Sequence, residues 1–214
     1  MEICDLGVIG YEKALCLQTE LVARRIEGKA PDTLLVVEHE RVVTLGRTEK
    51  AAGVIDEVFF EKQRIPVIST GRGGKVTYHA PGQLVFYPVV DLGSKRRDIS
   101  FYIDFLEKTA AGSLKRLGVP AERCQGKRGV WVEGKKIAFI GVAVKKWITF
   151  HGFAVNINND ITPFLHMAPC GESDIRVTSV KDWTGREADM LSAKEIFADQ
   201  FVKDMEEEYG NKIN

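Results

Sequence analysis

Gly129-Val130-Trp131-Val132-Glu133-Gly134-Lys135-Lys136-Ile137-Ala138-Phe139-Ile140-Gly141-Val142-Ala143-Val144 is the stretch that decides the fold class. Its two runs, Gly129 to Val132 and Lys136 to Val144, are rich in β-branched and aromatic residues, which suit a pleated, half-buried surface. Glu133-Gly134-Lys135 between them is a hairpin signal. Ile148 to Ile157 follows at once and is expected to pair next in order. Three successive strands with no helix between them break βαβ alternation. The expected class is α+β, a mixed β-sheet with flanking helices, placed on one side of the sheet.

Working outward, Tyr11 to Ile26 carries Ala14, Leu15, Leu17, Leu21, Val22 and Ile26 as a helical stripe, ended by Gly28 and Pro31. Leu34 to Val37 reads as a buried strand and Val42 to Leu45 as its neighbour. Glu38, His39, Glu40 and Arg41 form the polar turn between them. A short helix is expected over Asp56 to Gln63 and strands over Ile65 to Ile68, Val76 to Tyr78 and Leu84 to Val90. Ala80-Pro81-Gly82-Gln83 has Pro and Gly where a type II turn wants them. Tyr102 to Leu117 is the clearest helix, with Ser100 as candidate N-cap and Gly118 as its stop. The chain is irregular from Asn158 to Lys181. A last helix starts at a capping box, Ser192 to Glu195, and turns Ile196, Phe197, Phe201 and Met205 inward. No repeat or linker interrupts the chain, so one domain over residues 1–214 is the simplest count.

Composition narrows the function. Apolar residues make up 44% and charged residues 28% of the chain, a globular balance. Thirty basic and thirty acidic residues cancel, which argues against nucleic acid or a polybasic membrane contact. No uncharged apolar run approaches the ~18 residues of a membrane helix. The N-terminus shows no secretory pattern. Cys4, Cys16, Cys124 and Cys170 form no CxxC pair and have no histidine at zinc spacing. A cytoplasmic protein without metal or cofactor is the expectation.

The candidate chemistry is scattered. Gly71-Arg72-Gly73-Gly74-Lys75 looks like a ligand-facing loop, since glycine lets backbone approach a ligand. It fails the Walker A pattern, with Ser69 and Val76 at the wrong places. It also fails GxGxxG, which needs glycine at Val76. Cys170, followed by Gly171, is able to present a thiol and a backbone N–H to one carbonyl; a buried inert thiol is the bland alternative. Alternation puts Lys136, Ala138 and Ile140 on one strand face. Lys136 there points either to solvent or into a pocket, where desolvation favours a neutral amine. His79 and His151 each follow an aromatic-containing strand with no third metal ligand in view. His39 and His166 read as loop residues.

Several ordered blocks together resemble the octanoyltransferase (lipoate-protein ligase B) family. Thr44-Leu45-Gly46-Arg47 resembles its TLGR element, and Arg72-Gly73-Gly74 followed by Thr77-Tyr78-His79-Ala80-Pro81-Gly82-Gln83 resembles RGG…TYHGPGQ. Gly129 to Val132 with Lys136-Ile137-Ala138 resembles GVWV…KIA. His151-Gly152-Phe153-Ala154-Val155-Asn156 resembles HGxAxN, and Pro169-Cys170-Gly171 resembles PCG. The blocks span about residue 34 to 181. One departure is Ala80, where the family usually has glycine. The resemblance implies a fold like the biotin/lipoate protein ligase catalytic domain. It implies transfer of an octanoyl group from acyl carrier protein to a lysine of lipoyl domains, those of 2-oxoacid dehydrogenases and the glycine cleavage H protein. Cys170 and Lys136 would be the catalytic pair. Arg72, Gly73, Gly74, Tyr78, His79, Gly82, Ala138, Ile140, Gly141, His151, Gly152 and Ala154 would shape the substrate site. The rival readings are an ATP-dependent lipoate or biotin ligase, a lipoyl-domain amidotransferase working through a Cys/Lys pair, and a non-catalytic binding module.

Overall fold

The computed structural model describes residues 1–47, 55–167 and 175–210. Strand β1 (Glu2–Ile9) leads through helix α1 (Tyr11–Ile26) to a parallel partner, β2 (Thr33–His39). Three short strands follow, β3 (Val42–Leu45), β4 (Val67–Ser69) and β5 (Val76–His79), with helix α2 (Glu57–Lys62) between the first two. Then come β6 (Gln83–Val89), helix α3 (Ile99–Arg116) and the strands β7 (Glu122–Cys124), β8 (Lys127–Val132), β9 (Lys135–Lys145) and β10 (Ile148–Asn156). A 3-10 turn (Thr162–His166) and helices α4 (Val180–Thr184) and α5 (Met190–Tyr209) complete the order.

Among the described residues, seven strands form one sheet in the order β1-β2-β6-β10-β9-β8-β7, and three form a smaller one, β4-β3-β5. The hairpin from β8 to β9 turns at Glu133 and Gly134, both at positive φ (44° and 75°) as a type I′ turn needs. β10 pairs antiparallel with β9 from Ile148 opposite Lys145 to Val155 opposite Ala138. The three-strand block that suggested an α+β sheet therefore forms as expected. The described residues hold no helix long and apolar enough to cross a membrane.

Helices cover both faces of the large sheet, not one. Period-2 alternation in β2 sends Leu34 and Val36 to α3 and α5, where they join Phe105, Leu106, Phe197 and Phe201. It sends Leu35 and Val37 the other way, to Ala14 of α1. β6 at the sheet's middle is buried at all seven positions, the mark of a strand covered on both faces. Phe86 stacks on Phe153 at 4.8 Å and on Phe197 at 5.3 Å, and each such buried ring contributes roughly 1.5–3 kcal/mol. The small sheet packs against the face that carries α1. Its Val43, Leu45, Val76, Tyr78 and Ala80 share a second core with Phe139 of β9.

Five further expectations change. β3 does not neighbour β2 but pairs with β4 and β5. The polar turn is shorter, because β2 runs on through Glu38 to His39. His39 is fully buried, so it is no loop residue. Asp98 caps α3, its Oδ1 accepting the Phe101 N–H at 2.9 Å, and Ser100 lies inside the helix. Asp189 caps α5, accepting the Ser192 N–H at 2.9 Å, so Ser192 stands three residues inside. Either aspartate meets the orphan N–H of the first turn as well as the serines would.

The turn at Pro81-Gly82 has Gly82 at φ +85° and a Gln83 N–H to Ala80 O bond of 3.1 Å, as a type II turn requires. Ala80 needs no positive φ there, and its methyl packs in the second core. The alanine departure thus carries no backbone strain.

Candidate active site

A cavity lies where the small sheet meets the face of the large one, beside the first residue of α1. It has about 520 Å³ of space between atoms, mouth included, of which only about 50 Å³ admits the centre of a water molecule. The small inner figure, well under the ~300–1,000 Å³ of typical small-molecule sites, makes it a narrow slot. Thr77 and His79 line it from β5, Val85 and Tyr87 from β6, and Phe139, Ile140 and Gly141 from β9. His151, Gly152 and Ala154 line it from β10, Arg72 and Gly74 from the glycine loop, and Tyr11 from α1.

Lys136, the second residue of β9, is only 3% exposed, so of the two orientations open from sequence the inward one holds. Its Nζ stands 5.0 Å from the Phe139 ring and 5.4 Å from that of Trp131, within cation–π reach whenever it carries a proton. The peptide is held on both sides. Lys136 N–H donates to Arg176 O at 2.8 Å, and Lys136 O accepts from Thr178 N–H at 2.9 Å. The side chain passes over Gly129, which sits at φ +105°. A Cβ on Gly129 would lie 2.6 Å from Lys136 Cε and 2.5 Å from Ala138 O. Gly129→Ala is therefore expected to displace the lysine and to cost about 1–3 kcal/mol. Urea unfolding checks the stability, and a turnover falling by no more than the loss of folded protein would remove the predicted effect on Lys136.

Arg72 is buried and clamped to β3. Its Nη2 donates to Thr44 O at 2.7 Å and to Thr44 Oγ1 at 2.9 Å, and its Nε donates to the same hydroxyl at 3.2 Å. The TLGR block thus fixes the arginine of the RGG block. His79 Nδ1 donates to Gln83 Oε1 at 2.7 Å, because Gln83 spends its amide hydrogens on Tyr78 O and Asn156 Oδ1. Asn156 Nδ2 in turn donates to Thr178 O at 3.0 Å. One hydrogen-bonded chain therefore runs from the cavity wall to the segment that holds Lys136.

His39 Nδ1 faces the Ile9 carbonyl at 2.9 Å and must donate to it, so Nε2 accepts from the Tyr87 hydroxyl at 2.7 Å. Burial pushes His39 down to about 4. Burial, and then the Arg72 charge, push His151 to about 4 as well. Burial takes His79 well below the ordinary histidine value and lifts Tyr87 well above that of a phenol. The histidines and Tyr87 therefore give the slot an uncharged polar wall at neutral pH.

The structure brings nine of the expected site residues to the cavity: Lys136, Arg72, Gly74, His79, Ile140, Gly141, His151, Gly152 and Ala154. Four others lie off it. Alternation along β5 turns Tyr78 into the second core, where its hydroxyl accepts from Arg41. Gly82 packs on Asn158 and Asn159. Ala138 joins the core under α3, so it does not share Lys136's surroundings. Gly73 donates to Val142 O at 2.9 Å. Pro169-Cys170-Gly171 lies outside the described residues. Tyr11, Thr77, Tyr87 and Phe139 line the slot without having been singled out. Alternation from His79 points to Thr77, whereas Tyr11 reads as any first-turn helical residue.

The sequence pattern of the lipoyl protein ligase A/B catalytic domain matches residues 10–202. The chain belongs to this family. The family domain includes every cavity residue above. An octanoyltransferase of Syntrophotalea carbinolica is 43% identical over 194 residues, covering 91% of this chain and 89% of that protein. One of Geobacter sulfurreducens is 42% identical, covering 94% and 83%. Among solved structures, lipoate-protein ligase A bound with ATP superposes with a TM-score of 0.80 at 19% identity, over 95% of this chain and 85% of that one. Biotin protein ligase from Aquifex aeolicus in complex with biotin and ATP gives 0.63 at 14%, over 98% and 72%. These two likenesses establish the fold: a mixed sheet with flanking helices of the lipoate and biotin protein ligase type.

Proposed function

We propose that this protein is an octanoyltransferase of lipoate biosynthesis, working in the cytoplasm as a single catalytic domain over residues 1–214. The relatives named octanoyltransferase support the activity. The observation that carries it is Lys136, a buried lysine at the head of a narrow, mostly apolar slot. Burying the roughly seven carbons of an octanoyl tail contributes about 5 kcal/mol at ~0.8 per methylene.

The donor in this reading is octanoyl acyl carrier protein. The acceptors are lipoyl domains of 2-oxoacid dehydrogenases and the glycine cleavage H protein. Cys170 gives its thiol proton to neutral Lys136, and the thiolate attacks the donor thioester carbonyl. The C–S bond to the carrier breaks, and the departing thiolate takes the proton from Lys136. The acyl group is then a thioester on Cys170, so the energy of the first bond is kept and no nucleotide is consumed. The acceptor lysine, as a neutral amine, attacks this thioester and gives a proton to Lys136. The amide forms, Cys170 leaves as thiolate, and Lys136 returns the proton to it. The described flanks of the cysteine segment support this pairing. Met167 is fixed in the second core and Arg176 to Thr178 are bonded beside Lys136.

Intact-protein mass spectrometry after incubation with octanoyl carrier protein tests the proposal. Wild type is expected to gain one octanoyl group, labile to hydroxylamine, and Cys170→Ala none. An adduct that persists in Cys170→Ala would sink the covalent step. Release of pyrophosphate from ATP with free octanoate would instead favour a ligase.

A further inference from the structure

One end of the slot is chemically unlike the rest. His151 is 2% exposed, and neither of its ring nitrogens has a hydrogen-bond partner among the described residues. Tyr11 lines the same cavity beside it, with Thr70 near its hydroxyl. Gln18 spends its Oε1 on the His151 backbone N–H at 2.8 Å and leaves its Nε2 without a partner. Tyr87 stands edge-on to the His151 ring at 6.2 Å, with its hydroxyl already given to His39. Buried polar groups are almost always hydrogen-bonded, so such a cluster on a cavity wall implies water or a polar group in the space it faces.

The pairing of β9 with β10 sets how far this cluster lies from Lys136. The lysine Nζ reaches the Phe139 ring, which stands on β9 opposite Ala154. His151 stands opposite Val142, three residues further along β9. At ~3.3 Å per strand residue that leaves about 10 Å between the two levels. The facing pair Gly141 and Gly152 lines the slot between the two levels and leaves it free of side chains, with Ala154 and its neighbour Val85 of β6 at the lysine's level. A saturated acyl chain of about eight carbons, its carbonyl at Lys136, fills that apolar interval.

We infer that His151, with Tyr11 beside it, sets the chain-length limit of the slot by presenting a hydrated polar end that longer alkyl chains must strip. The inference rests on the acyl-transfer reading of the site. Each further methylene buried gains roughly fourfold in binding. Stripping water from a polar group left unpaired loses between about fivefold and about a hundredfold. Two such atoms line this end, both on His151. The loss exceeds the gain from the first methylenes beyond the limit.

The test compares kcat/KM for octanoyl, decanoyl and dodecanoyl carrier protein with wild type, His151→Leu and His151→Asn. Wild type is expected to fall at least tenfold from octanoyl to dodecanoyl. His151→Leu, apolar at nearly the same reach, is expected to raise the dodecanoyl-to-octanoyl ratio at least tenfold. His151→Asn is polar and suits the positive φ at this position (54°), and it is expected to keep the wild-type order. His151→Met serves the same purpose should the leucine variant not fold. A chain profile in the apolar variants parallel to wild type overturns the inference. So does an asparagine variant as permissive as leucine, which would make size the cause. A wild type that transfers none of the three chains overturns the acyl-transfer reading first, and this inference with it.

Discussion

Lys136→Ala is expected to lose octanoyl transfer by about 10²–10⁴-fold in kcat, the usual worth of a positioned general base. The loss follows from where the side chain sits. It crosses Gly129, is buried between Trp131 and Phe139, and is held by backbone bonds to Arg176 and Thr178. No other lysine of the described residues is buried, so none stands ready to replace it. Truncation removes a side chain from a slot that already has an open mouth, so the fold is expected to persist. Lys136→Arg separates charge from proton transfer. Arginine keeps the positive charge but does not give up its proton in proteins, and it is expected to be nearly as inactive as alanine. Single-turnover kinetics with the acyl-enzyme formed in advance then separate the two half-reactions. Near-normal turnover in Lys136→Ala, with circular dichroism unchanged, would remove the lysine's assigned role. An active Lys136→Arg would reduce that role to electrostatics.

Local turns and strands are more legible in the sequence than what surrounds them. The hairpin at Glu133-Gly134 was legible because the turn has local chemistry, and β10 followed because consecutive antiparallel strands usually pair. Alternation in β9 and β5 carried real information, since it distinguishes residues that face the slot from those that face a core. It misplaced Ala138 because β8 and β9 shift register between Val130 and Trp131, and a bulge re-aims the side chains beside it. The partners of β3 were not legible, because hydrophobic content says that a strand is buried and not which strand lies next to it. β1 escaped notice because Gly7 at φ +60° interrupts it and its register shifts between Asp5 and Val8. His39 reads as a turn residue because polar neighbours hide a buried histidine whose partners, Ile9 and Tyr87, are distant in sequence. Cys170 drew its weight from the PCG block alone, since nothing local distinguishes a nucleophile from an inert thiol.

The histidines of the slot are expected to make the protein acid-sensitive well above the carboxylate range. His39 and His151 titrate near 4 in the folded state, both mainly through burial, and near 6.5 when unfolded. Between these values the unfolded chain binds more protons than the folded one, so folding weakens as pH falls. The stability is fully present above about pH 6.5 and is lost progressively toward pH 4, at about 1.4 kcal/mol per pH unit for each group. His79, held still lower by burial, adds to the same slope. From pH 6.5 to 5 the two groups together remove about 3 kcal/mol, a large part of the ~5–15 kcal/mol of a typical domain. The carboxylates held low, Asp56, Asp98, Glu187 and Asp189, lie at or near the surface and titrate below this window, so the buried histidines dominate the slope there. Urea unfolding at pH 7.5, 6.5, 5.5 and 5.0 measures it. His151→Asn is expected to flatten the curve by about one group's share. A wild-type midpoint unchanged between pH 6.5 and 5 would mean that these rings take up protons without leaving their pockets. The uncharged polar wall inferred for the slot would then fail with it.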